Sequence, residues 1–173
     1  MLTEISLFTV LSTVILFSFI SGGIIRFGLQ PSYSVYSKKW SDAVPINSTN
    51  LWSIITIVAA FLLCPAMLEV AAGSALQFLG LLTPVYLIIT ALIPDWYTSK
   101  KVYLVHAISA LLCMCGSLVW LIAIMHAFKV VVIIGIFYMT IALLTGTTRT
   151  SMVFWFEMWL LVSVYVSVLL LLF

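Results

Sequence analysis

VYLVHAISALLCMCGSLVWLIAIMHAFKVVVIIGIFYMTIALL, residues Val102 to Leu144, is apolar for more than forty residues and is broken only at His126-Ala127-Phe128-Lys129. As one helix at 1.5 Å per residue it would reach about 65 Å, twice the roughly 30 Å hydrocarbon core of a bilayer. It therefore reads as two spans, 102–125 and 130–144, turning at Lys129. Lipid offers no hydrogen bonds to bare backbone, so a spanning element is a helix or part of a closed barrel. Long apolar runs without alternation reject the barrel.

The same reading extends outward in both directions. Upstream, 76–93 is a span with Pro84 near its middle, 51–70 is another with Pro65 and Glu69 in its last turns, and 71–75 is a tight turn between them. The first span is 6–27, ending on Arg26, whose side chain is long enough to reach the headgroups. It carries Glu4 in place of a basic leader, and its apolar run is longer than a secretion signal needs, so it is expected to be retained. Downstream, 145–150 is a polar loop and 152–173 the sixth span. Residues 29–50 form the one long polar segment, and Tyr33, Tyr36 and Trp40 suit a segment lying at the membrane interface. Over all 173 residues, 65% are hydrophobic and 7% charged, whereas about a quarter of a soluble domain is charged. The expectation is an all-α polytopic membrane protein, one domain over 1–173, folded as a six-transmembrane-helix bundle.

Charge sets orientation. Arg26, Lys38, Lys39, Lys100, Lys101 and Arg149 follow the first, third and fifth spans, and only Lys129 lies on the other side. These loops are expected to face the cytoplasm and both termini to face away from it, in a bacterial inner membrane. The sequon Asn47-Ser48-Thr49 is then out of reach of lumenal enzymes. A net charge of +2 without a basic patch excludes nucleic acid as a partner. The bilayer is the expected environment, and Ser18, Gly22 and Gly23 on the first span leave room for a homo-oligomer or another membrane protein.

Ionisable residues at membrane depth are costly and mark candidate sites. Arg26, Asp95, His106 and Glu157 fall on the cytoplasmic side; Glu69, His126 and Lys129 fall on the other. On a helix His106 heads a face continued by Ala110, Cys113 and Ser117, with Ser109 and Gly116 alongside, small residues that let another helix come close. This directs the imidazole inward, toward Asp95, Glu157, or Ser32 or Ser34 if the first loop folds back. Asp95 after Pro94 also suits a turn or a cap for the fourth span. Cys113 and Cys115, two positions apart, point to different faces, and with Cys64 read as apolar packing. With two histidines on opposite sides no three-histidine metal site exists, and neither a His-Glu-x-x-His nor a Gly-x-Ser-x-Gly motif occurs.

Gly28-Leu29-Gln30-Pro31-Ser32-Tyr33-Ser34, then Leu76-Gln77-Phe78-Leu79, Pro94-Asp95 and Val105-His106-Ala107-Ile108-Ser109-Ala110, resemble segments of a group of small polytopic membrane proteins of gut bacteria and their phages. The resemblance implies a fold and no activity. Ser32 or Ser34, Asp95 and His106 are also distantly similar to the serine, aspartate and histidine set of ceramidase and progestin-receptor-like membrane hydrolases, which work around zinc. The expectation is a binding protein rather than an enzyme, needing no cofactor, with Arg26, Ser32, Ser34, Asp95, His106 and Glu157 holding a small ligand, lipid headgroup, proton or partner. The alternatives are a zinc-dependent membrane lipid hydrolase and a proton-coupled carrier.

Overall fold

The computed structural model describes residues 2–43, 49–93, 98–124, 127–144 and 152–173. The expectations placed on Asp95, His126, Arg149 and Asn47 fall outside these residues. Every regular element among the described residues is a helix: α1 (Leu2–Phe27), α2 (Val35–Ala43), α3 (Thr49–Val70), α4 (Leu79–Ala91), α5 (Lys100–Ala123), α6 (Ala127–Leu144) and α7 (Met152–Leu172). Within α1, α3, α5 and α7, the four segments Thr3–Phe27, Leu51–Val70, Lys100–Ala123 and Val153–Leu172 are long and apolar enough to cross a membrane.

Several boundaries depart from expectation. α1 begins at Leu2, and α5 ends at Ala123 while α6 begins at Ala127, so Lys129 lies inside α6 and is not the turn between the two. α4 has 13 residues, a rise of about 20 Å, because residues 71–78 form successive turns instead of the start of a span. Gly73 sits at φ +79, a left-handed conformation that glycine adopts without strain. Beyond it Ser74 and Gln77 donate to the carbonyls three residues back, at 3.0 and 3.1 Å. The cap of α5 is Ser99, whose hydroxyl accepts the Val102 N–H at 3.2 Å and satisfies a donor that the first helical turn leaves open.

α7 packs against α1, α3, α5 and α6, while α3 packs against α1, α2, α4 and α7. Small residues permit this closeness. The Ser12 hydroxyl donates to the Ala59 carbonyl at 2.7 Å and lies 2.6 Å from the Tyr165 hydroxyl, so α1, α3 and α7 meet at one buried point. Leu7, Phe61, Ile133, Ile136 and Phe137 are exposed on the outside, an apolar surface that suits acyl chains as solvent. α2 fills part of the polar segment. Its Tyr36 is buried and donates through its hydroxyl to the Gly28 carbonyl at 2.9 Å, and its Trp40 stacks on Phe19 at 5.5 Å.

Candidate functional site

The site begins where α1 ends. Gly28, at φ +70, turns the chain out of the helix while its N–H still reaches the Ile24 carbonyl at 2.8 Å, a glycine stop of the left-handed kind. The Gln30 amide then donates to the Phe27 carbonyl at 2.7 Å, filling one of the acceptors that a helix end leaves open. The next four residues attach to α7. The Pro31 carbonyl takes the Phe154 N–H at 3.0 Å, a first-turn donor with no partner inside its own helix. The Glu157 carboxylate, one turn further on, accepts the Tyr33 N–H at 2.7 Å. These two bonds give the Pro31 carbonyl and the Tyr33 N–H of this irregular stretch partners on α7.

Held in this way, Ser34 is buried and meets α5. Its hydroxyl lies 3.0 Å from Nε2 of His106, and Nδ1 of the same ring lies 3.2 Å from the Ile93 carbonyl. A carbonyl only accepts, so in the neutral ring Nδ1 carries the hydrogen and Nε2 accepts from Ser34. α4 is tied to the same region by the Thr90 hydroxyl, 3.0 Å from that of Ser109.

Beneath the loop, α1, α3, α4, α5 and α7 line a cavity of about 90 Å³. Most of its wall is aliphatic. Its polar groups include Tyr33, Ser34, Trp52, Thr56, Thr83 and Glu157. The Tyr33 and Thr56 hydroxyls pair at 2.8 Å, and burial pushes the Tyr33 phenol far above its ordinary range, so it stays neutral. Trp52 Nε1 and Thr83 Oγ1 are buried without a hydrogen-bond partner among the described residues. Such groups cost free energy unless something satisfies them.

No protein-family model, curated protein or solved structure matches this chain. Its chemistry has to come from the site.

Of the residues singled out from sequence, Ser34, His106 and Glu157 converge on one turn of chain. Ser32 contributes its carbonyl, which accepts the Val35 N–H at 3.2 Å, and is absent from the cavity wall. Arg26 points outward, exposed, over the rings of Phe27 and Trp40 at 5.5 and 5.3 Å. Its charge is thus spent on ring faces rather than on Glu157. Tyr33, Thr56, Trp52 and Thr83 join the site without a charge or motif in the sequence to mark them. The one signal for them was helical spacing, since Trp52 and Thr56, four apart, share a face of α3.

Zinc chemistry does not fit the described residues. Both ring nitrogens of His106 already face protein groups. No three His, Cys, Asp or Glu among the described residues stand close enough to share an ion.

Proposed function

We propose that this is a six-span membrane protein, both termini away from the cytoplasm, that binds a small amphiphilic cation, an organic amine with a short apolar body. The observation that carries the proposal is the Glu157 carboxyl in the wall of a cavity that among the described residues includes no lysine, arginine or histidine. One of its oxygens takes the Tyr33 N–H. A carboxylate in aliphatic surroundings has already lost much of its solvent, and a cation offsets that cost by direct charge-assisted pairing while its apolar body matches the wall. Trp52 Nε1 and Thr83 Oγ1 add a donor and a hydroxyl for a polar substituent.

The probe is n-butylamine, with n-butanol as its neutral counterpart, titrated into detergent-purified protein and read as thermal stabilisation. The amine is expected to stabilise wild type more than the alcohol does. Glu157→Gln is expected to weaken the amine by about 10- to 100-fold, the worth of one charge-assisted contact, and to leave the alcohol unchanged. An equal response to both probes in wild type would sink the proposal.

The topology is tested separately. With Cys64, Cys113 and Cys115 replaced by alanine, cysteines at the exposed positions Lys38 and Thr98 are expected to react with an impermeant maleimide only from the cytoplasmic face. Reaction from outside would reverse the orientation.

A further inference from the structure

We infer that Ser34 and His106 form a nucleophile and base pair for acyl transfer, taking a small carboxylic ester whose acyl group enters the cavity. The inference goes beyond amine binding and stands on a different observation. A serine hydroxyl is a poor nucleophile unless a base takes its proton, and the base acts best when a third group fixes its tautomer. All three parts are present. Ser34 Oγ lies 3.0 Å from His106 Nε2, and the Ile93 carbonyl, 3.2 Å from Nδ1, holds the hydrogen on the far nitrogen. Ser34 is also the residue just before α2, its hydroxyl lies beside the imidazole, and the residue is part of the cavity wall. The amide N–H of Ser34 has no acceptor among the described residues, unlike those of Val35, Tyr36 and Ser37, which donate to Ser32, Tyr33 and Ser34. It is a donor available to a developing oxyanion beside the nucleophile.

The step balances with water as the only co-reactant. Ser34 Oγ bonds to the ester carbonyl carbon as its proton passes to Nε2. The tetrahedral oxyanion faces the Ser34 amide. Collapse breaks the bond to the alkoxy oxygen, which leaves as the alcohol with the proton from His106. Water then attacks the acyl-serine, gives a proton to Nε2, and the carboxylic acid departs as Ser34 recovers its hydrogen. The aliphatic wall, with Leu63, Met114 and Leu161, suits a short acyl chain.

The test uses an alkyl fluorophosphonate, which an activated serine attacks with loss of fluoride, on the full-length protein in detergent. Peptide mass mapping is expected to place the adduct on Ser34. His106→Gln is expected to slow labelling by about 10²- to 10⁴-fold, the contribution of a general base. Failure to modify wild-type Ser34 under conditions that label a known serine hydrolase would overturn the inference without recourse to any variant. So would an unchanged rate in a His106→Gln protein that elutes as wild type does. The n-butylamine response of the same preparation separates the two readings. An amine response without labelling removes acyl transfer and leaves binding, and labelling without an amine response does the reverse.

Discussion

Gly80→Ala is expected to cost the protein about 2 to 3 kcal/mol, the upper end of what overpacking does. A Cβ at Gly80 would stand 2.9 Å from the carbonyl carbon and oxygen of Met67 and 3.0 Å from the Leu68 nitrogen. These are backbone atoms of α3 and cannot rotate away, so α4 as a whole has to move. The neighbouring contacts make that movement costly, since the Gln77 side chain donates to the Leu68 carbonyl at 3.3 Å across the same junction. Two other glycines grade the effect. At Gly116 the added carbon meets the Thr83 hydroxyl at 2.7 Å, a side-chain atom that a change of rotamer removes, so Gly116→Ala is expected to cost less. At Gly22 nothing lies within 4 Å, and Gly22→Ala is expected to be neutral or slightly stabilising, given the helix preference for alanine. Thermal midpoints of the three variants in detergent check the order. A Gly22→Ala protein less stable than Gly80→Ala would contradict this packing. The junction also matters for the site, because α4 supplies Thr83, Pro84, Leu87 and Thr90 to the cavity wall.

Hydropathy made the solvent of this chain legible, and with it the helical class, because solvent is what apolar composition reports. It says less about backbone path. Leu76 to Phe78 carries two large apolar side chains, yet the chain turns there, since Gly73 and the turns after it decide the direction whatever the side chains prefer. The convergence of Ser34, His106 and Glu157 was also open to sequence reasoning, because polar groups at one depth in lipid have few partners to choose among. Arg26 was open to two outcomes. Its length allows a carboxylate or an aromatic face, and only the rotation of the last turn of α1, which points it at Trp40, decides between them. Trp52 and Thr83 were invisible for a simpler reason. Neutral polar side chains carry little cost in a hydropathy scale, so nothing flags one whose polar atom ends without a partner.

Glu157→Leu is expected to release the loop that carries Ser34 while leaving the helices in place. The substitution removes the acceptor of the Tyr33 N–H, which the carboxylate holds at 2.7 Å. A hydrogen bond to a charged group contributes about 1.5 to 3 kcal/mol, and the buried donor left behind adds its own desolvation cost. A local opening made easier by about 3 kcal/mol raises amide exchange by roughly 100-fold. Hydrogen–deuterium exchange of peptides covering residues 30–40 is the direct measurement, with peptides from α3 and α7 expected to change little. Gln keeps an acceptor oxygen of similar reach, so Glu157→Gln is expected to exchange nearly as wild type does. That contrast separates two roles of one side chain. If Gln preserves the loop but loses the amine, the charge recognises the ligand and the acceptor builds the site. If Gln loosens the loop as much as Leu does, the carboxylate charge is itself what holds Tyr33, and ligand release and loop release become the same event. The pair of variants therefore decides whether Ser34 stays seated on His106 when the cation leaves.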